Sequence, residues 1–266
     1  MLTISEINTY PVKSLRGISV KFAKVTDRGF EHDRRWMLID HFGNFMTQRE
    51  YPQMAFINVE IEDNGLNVYH RNKKDLDKHF VSFNISKTKA ITVPIWDDTC
   101  TAFLVGKDSD KWFSEALEIE CKLVYQPDDT RRSVDEKYSV KKEIVSFADG
   151  YPFLIIGQSS LDDLNSRLDE SLPMNRFRPN IVFTGGEPYQ EDKMKKFKAG
   201  DIIFYGVKPC ARCTITTTNQ ETAERLIEPL KTLATYRKVE NKVLFGMNLL
   251  HKGSGEVRIG DKIELL

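Results

Sequence analysis

Cys210 and Cys213 stand three apart in the stretch GVKPCARCTITTTNQ, in a chain that has four cysteines. Such a pair serves a disulfide, a zinc corner, a dithiol redox couple, or a site in which one sulfur alone is a ligand. A structural zinc site takes four ligands, and no second CxxC or HxxxH accompanies this pair. Cys100, Cys121 and the scattered His32, His41, His70, His79 and His251 supply no recognisable complement. Redox couples of the thioredoxin type open a helix that follows a strand. Here the β-branched run TITTT comes next and predicts a strand. Two small buried residues are a further reading, because free cysteine is commonly buried. Arg212 lies between the two sulfurs and would favour a thiolate. The spacing alone leaves these alternatives open.

Cations and turn donors recur elsewhere. Lys13 and Ser14 follow a strand and a proline in YPVKSLRG, a combination suited to a phosphate oxygen. Asp33, Arg34 and Arg35 open the apolar strand RRWMLID, where alternation sends one arginine inward or to the strand end, toward a partner. Arg49 stands in TQRE. Arg176, Arg178 and Asn180 are spaced two apart in MNRFRPN, so in an extended chain they share one face. Asp149-Gly150 precedes the buried run FLII and reads first as a turn; an aspartate there could also shuttle protons beside a metal. An ordinary ion pair accounts for any one of these cations. Five separate turns offering cations or amides beside strands are harder to dismiss.

The elements that position these residues are mostly short strands. LTISEINTY, GISVKFAKVT, RRWMLID, GNFMTQRE, MAFINVEIED and GLNVYH are each bounded by Gly, Pro, Asn or Asp, which suggests a sandwich or barrel and not βαβ units. A helix is predicted over Asp108–Glu120, capped by Asp108 or Ser109, with Trp112, Phe113, Ala116 and Leu117 on one face. The polar stretch Tyr125–Glu143 reads as a linker or mobile loop. Ser159 or Ser160 is expected to cap a helix carrying Leu161, Leu164 and Leu168, and ETAERLIEPLKTLATYR is a helix broken by Pro229. KAGDIIFYGV and RIGDKIELL each launch an apolar strand from a Gly-Asp turn, as two elements of one barrel would.

The chain has 266 residues, 40% hydrophobic and 29% charged, with 39 basic residues balanced by 39 acidic ones. Zero net charge argues against a general nucleic-acid binder, so any anion must be gripped by a local cluster. The first ten residues lack the basic and apolar regions of a secretory signal, and no apolar run could span a bilayer. Four cysteines in so long a chain do not look like a disulfide framework. A cytoplasmic, reduced protein without membrane or nucleic-acid partners is the expectation.

Taken together, YPVKSLRG, DRRWMLID, FMTQRE, DGYPFLI, SSLDDLNSRL, NRFRPNIV, CARCTITTTN and EPLKTLATYR, in that order, resemble proteins with an N-terminal MOSC β-barrel domain followed by a MOSC domain. This group includes the mitochondrial amidoxime-reducing component and its bacterial relatives. The resemblance implies a mainly β (α+β) fold: two β-barrel-like domains with peripheral helices, divided as 1–120 and 121–266. It implies a molybdenum–molybdopterin cofactor, with Cys213 as the metal ligand and Cys210 in packing or a supporting role. It implies cofactor contacts from Lys13, Ser14 and Arg34 in the first domain, and from Gly150, Arg178, Asn180, Ala211 and Arg212 in the second, with Asp149 close to the metal in a catalytic role. The activity implied is reduction of N-hydroxylated compounds such as amidoximes. A cysteine-persulfide sulfur carrier and a non-catalytic cofactor-binding protein are the alternatives. No lysine has a context that argues for pyridoxal phosphate. The chain starts almost at its first strand, without the mitochondrial relatives' anchor, and ends without the ferredoxin domain of some bacterial relatives. Electrons are therefore expected from a separate donor protein of ferredoxin, flavoprotein or cytochrome type.

Overall fold

A computed structural model describes residues 1–86, 89–139 and 141–266. Seven strands close into a barrel: Leu2–Thr9, Phe153–Gly157, Ile181–Thr184, Lys196–Ala199, Ile202–Ala211, Lys242–Lys252 and Lys262–Leu265. Closure comes from the pairing of Phe153–Gly157 with Lys242–Lys252, in the register Phe153↔Leu249. Alternation along the strands, with an irregularity between Ile4 and Glu6 that turns both Ile4 and Ile7 inward, sends these two with Ile155, Phe183, Phe197, Phe204 and Leu249 into one apolar cluster that fills the interior. A closed barrel leaves no unpaired edge, which suits a chain built from so many short strands.

The second lobe is a half-barrel. A four-stranded sheet runs in the order Trp36–Asp40, Cys121–Tyr125, Asp98–Leu104, Ala90–Ile95. Beside it lies a meander of Ile57–Glu62, Gly65–His70 and His79–Ser82. Helix α1, Lys107–Leu117, packs its Trp112, Phe113, Ala116 and Leu117 into this lobe's core. The fold is mainly β, as expected.

The division at 120/121 is crossed in both directions. Leu2–Thr9 belongs to the barrel of the second half of the chain, whereas Cys121–Tyr125 pairs with Trp36–Asp40 in the half-barrel. The chain thus enters the barrel, leaves to build the half-barrel, and returns at Phe153. Each crossing carries loop residues of one lobe onto the other.

Local expectations were met unevenly. α1 starts one residue earlier than predicted, after Gly106 and with no side-chain cap: Asp108 and Ser109 lie inside it, and the Ser109 hydroxyl is hydrogen-bonded with His79 Nε2 at 2.8 Å. Helix α2 is Gln158–Asn165, so Ser159 and Ser160 lie inside it and cap nothing. Their hydroxyls donate to Gly186 O and to the buried Glu191 carboxylate. Helix α3 is confined to Leu230–Tyr236, after Pro229. Thr214–Thr217 forms a 3-10 turn and not the predicted strand: Thr216 and Thr217 hydroxyls donate back to the carbonyls of Cys213 and Thr214. The Tyr125–Glu143 stretch, whose Val140 lies outside the described residues, shows no strand or helix after Tyr125 among the described ones. It is nevertheless pinned, because the buried Arg28 donates to Pro127 O, Asp128 O and Thr130 O.

Candidate functional site

The strand Ile202–Ala211 carries the CxRC residues to the barrel rim. Its pairing with Lys242–Lys252 is irregular between Gly206 and Lys208 and again between Pro209 and Ala211. Such irregularities bend a strand and re-aim its side chains. Glycine is required at 206, where a Cβ would lie 2.1 Å from Met194 O. Past the bend, Cys210, Ala211, Arg212 and Cys213 all line one cleft. Arg212 Nη1 donates to Cys210 Sγ at 3.0 Å and Nη2 to Phe177 O at 2.7 Å, while its buried Nε has no partner. Cys210 also packs against the apolar cluster under α2. Cys213 Sγ faces Arg49 Nη1 across the cleft at 4.0 Å.

The opposite wall comes from loops of the first half. Lys13, Ser14 and Arg34 line it, and Ser14 and Arg34 both adopt left-handed backbone, with φ of 65° and 49°. Non-glycine residues in that region cost on the order of 1 kcal/mol each and tend to cluster where a site demands them. Arg178, at φ 56°, is a third case on the same cleft. This also explains why Arg176, Arg178 and Asn180 do not share a face. Met174–Arg176 is a 3-10 turn and Arg178 turns left-handed, so Arg176 points away and donates to Thr216 O and Glu228 O, under the Cys213 turn.

A buried carboxylate organises the cations. Asp33 accepts from Tyr10 N at 2.8 Å, Arg34 Nη1 at 2.6 Å and Asn180 Nδ2 at 3.3 Å. The Tyr10 ring sits between two guanidiniums, with Arg34 and Arg178 each 4.3 Å from its centroid. Its hydroxyl donates to Pro179 O, and burial raises the phenol to about 12, so it stays neutral. Asn180 is spent on structure: Nδ2 serves Asn8 O and Asp33, and Oδ1 accepts from Arg34 and Leu154 N. It lines the cleft chiefly as the residue that orients Arg34. Arg178 is different. It is 8% exposed, and burial lowers its guanidinium to about 10. It has no hydrogen-bond acceptor among the described residues, so its donors remain available to a ligand.

The carboxylate on the cleft is Asp149. Its Oδ1 accepts from Lys13 Nζ at 2.5 Å and from Trp96 Nε1 at 3.1 Å. Burial alone would raise this carboxyl, but the Lys13 ammonium, with Arg49 and the indole N–H, holds it far below the usual carboxylate range. Burial lowers Lys13, and Asp149 offsets part of that shift. Lys13 also donates to Phe147 O at 2.8 Å, so a side chain from the first turn of the chain ties down the loop ahead of the barrel strand. Gly150 lines the cleft beside Asp149, with nothing near its Cα that a side chain would meet.

Two family models match this chain: the MOSC N-terminal beta barrel domain over residues 1–120 and the MOSC domain over residues 142–264. Mouse mitochondrial amidoxime-reducing component 1 is 32% identical across 99% of this chain and 82% of its own length. The chain is a MOSC-domain protein. The human amidoxime-reducing component 1 is 30% identical over 83% of its length. Tomato molybdenum cofactor sulfurase is 29% identical, and this chain spans 35% of that longer protein.

All the residues expected of a MOSC protein at this position meet on the one cleft: Lys13, Ser14, Arg34, Asp149, Gly150, Arg178, Asn180, Ala211, Arg212 and Cys213. Sequence reasoning passed over the residues that hold them. Arg132, 5% exposed, donates to Ser146 O, Ala148 O and Asp149 O, and so fixes the Asp149 loop. In the sequence Asp33 reads only as a neighbour of two arginines, and no local pattern marks Trp96. The sign available for Arg132 was a second arginine in the pair Arg131–Arg132, in a stretch otherwise mostly polar. Among the described residues no cluster of three metal-binding side chains occurs, and no helix is long and apolar enough to cross a membrane.

Proposed function

We propose that this MOSC protein is a molybdenum-cofactor-dependent oxidoreductase that reduces N-hydroxylated compounds of the amidoxime type to amidines or amines. The observation that carries the reading is the donor set of the cleft. Five cationic side chains, Lys13, Arg34, Arg49, Arg178 and Arg212, face it with one carboxylate, Asp149, and Cys213 brings a thiol to the centre. Two thiols, Cys213 and Cys210, cannot by themselves hold a bare metal ion, which needs three or more protein ligands. A metal that arrives on its own sulfur chelate needs just one further soft ligand, and a phosphate-bearing chelate needs the cations. Arg178 without an acceptor and the orphaned Nε of Arg212 fit an anionic group of this kind.

In this reading Cys213 supplies the ligand, and Lys13, Ser14, Arg34, Arg178, Ala211 and Arg212 hold the chelate's polar atoms. When bound, the group supplies the two-electron centre for N–O cleavage. The balance is one N–OH bond reduced to N–H with release of water, for two electrons and two protons. Asp149, held as a carboxylate by Lys13, accepts a hydrogen bond from the substrate nitrogen and does not act as an acid. Lys13, whose ammonium is made more acidic by burial, is the proton source beside it. The electrons come from a separate donor protein of ferredoxin, flavoprotein or cytochrome type.

The similarity to molybdenum cofactor sulfurase favours a second reading, in which Cys213 carries a persulfide. Metal and sulfur analysis of protein made in a cofactor-producing host separates the two. Near-stoichiometric molybdenum, lost in Cys213→Ser and kept in Cys210→Ser, with benzamidoxime reduced by an artificial donor, is the expected result. Cyanide-releasable sulfur without molybdenum would select the sulfur carrier, and molybdenum without turnover a non-catalytic binding protein.

A further inference from the structure

Trp96 occupies the turn between the strands Ala90–Ile95 and Asp98–Leu104, and its φ is +57°. Two-residue hairpin loops take primed turns, in which the first loop residue has φ > 0. The hairpin sets that φ, because Ile95 pairs with Asp98 and leaves a two-residue loop, and Trp96 remains 47% exposed. From this turn the indole reaches two residues of the cleft, Asp149 and Arg49. There Nε1 donates to Asp149 Oδ1, Arg49 stacks 4.1 Å from the ring centroid, and Phe45 meets the ring edge-on at 5.4 Å.

The rest of the ring lines an outer groove that Arg49 does not reach. This groove shares Asp149, Gly150 and Tyr151 with the inner cleft, so it opens directly onto the carboxylate. Its charge has the opposite sign. Five carboxylates line it, Asp97, Asp98, Asp135, Glu136 and Asp149, against the cations Arg132 and Lys208. Arg132 is already committed to Asp98 and to three backbone carbonyls. On one side of Trp96 lies a basic chamber suited to an anion. On the other lies an acidic groove with two aromatic side chains, Trp96 and Tyr151.

We infer that Trp96 is the specificity-determining platform of this protein: aryl amidine and guanidine bases stack on its indole in the outer groove and present a nitrogen to Asp149. The inference deepens the proposed reductase reading and rests on it for the reaction, but not for binding. Asp149 Oδ1 is occupied by Lys13 and Trp96, and Oδ2 has no partner among the described residues, so Oδ2 is the acceptor for the ligand's N–H. A flat cation gains from the indole face and from the carboxylates together. A carboxylate-bearing ring of the same size loses the second contribution and is repelled.

Benzamidine and benzoate differ in the sign of one flat head group and serve as the probes. Their dissociation constants are measured by calorimetry on the cofactor-loaded protein, alongside kcat and KM for benzamidoxime, in wild type, Trp96→Ala, Trp96→Phe and Asp135→Asn/Glu136→Gln. Benzamidine should bind at least about 10-fold more tightly than benzoate, and Trp96→Ala should weaken benzamidine and raise KM about 10-fold. Trp96→Phe keeps a stacking face but no N–H, so its benzamidine affinity should stay within about 3-fold while kcat falls. Asp135→Asn/Glu136→Gln leaves Trp96 untouched and should narrow the preference for benzamidine, which tests the groove even if Trp96→Ala does not fold. Equal binding of the two probes, or benzamidine affinity unchanged in Trp96→Ala, overturns the inference. Benzamidine binding without benzamidoxime turnover would overturn the reductase reading and leave the platform standing.

Discussion

Asp33→Asn tests whether one buried carboxylate assembles the basic wall of the cleft. Asp33 is 2% exposed and accepts from Tyr10 N, Arg34 Nη1 and Asn180 Nδ2. Asparagine keeps the shape and one acceptor oxygen. It places an amide NH₂ 2.6 Å from the Arg34 donor or, flipped, against the Tyr10 and Asn180 donors. A lost charge-assisted hydrogen bond costs about 1.5–3 kcal/mol, and a donor left facing a donor adds about 1–3 kcal/mol. The total, about 3 kcal/mol or more, agrees with the usual cost of breaking a buried ion pair from one side. For a chain of this size that is a fall in Tm of about 6–12 °C. Thermal melts of wild type, Asp33→Asn, Arg34→Met and the double variant provide the assay. The double variant should lose less than the sum of the singles, by about 1–3 kcal/mol, because the two residues share one interaction. A Tm within about 2 °C of wild type for Asp33→Asn, or strict additivity with Arg34→Met, would refute the organising role of Asp33.

Glu191 is fully buried, and burial raises its carboxyl from 4.5 to about 7 despite the Ser160 hydroxyl and the Gly157 N–H. The folded protein therefore keeps a proton that the unfolded chain releases, so stability falls as pH rises from about 4.5 to about 7, by up to about 3 kcal/mol. Glu191→Gln should flatten that slope in urea titrations; parallel curves for the two proteins would discount the buried carboxyl. Arg132→Met removes the donor to three carbonyls around Asp149 and should cost about 3 kcal/mol together with most of the turnover. Arg132→Lys, which cannot reproduce the fork, should rescue stability more than kcat. Gly206→Ala places a methyl 2.1 Å from the Met194 carbonyl, with an expected loss of about 3 kcal/mol by urea denaturation; a neutral result would mean that the strand bend adjusts freely.

Much of the chemistry was written locally. Short strands punctuated by Gly, Asn and Asp announced a sandwich or barrel, since a period of two sets which side chains face inward regardless of neighbours. The CxRC pair, Lys13-Ser14 and Asp149-Gly150 could be singled out as candidates from a few adjacent residues, but only the fold brings them to one cleft. Sequence failed where distant partners outcompeted local preference. TITTT became a 3-10 turn once its hydroxyls folded back onto carbonyls, and Ser160 was drawn from a cap to the buried Glu191. Arg176 left the face predicted for it because turn geometry intervened between it and Arg178. Tertiary structure alone decided that a carboxylate at 33 would set the arginine at 34, that Arg132 would fix the loop at 149, and that an indole at 96 would divide a basic chamber from an acidic groove. Residue types and spacing determine which groups are available. The pairing of strands 100 or more residues apart determines which of them meet, and that long-range closure has no local signature to read.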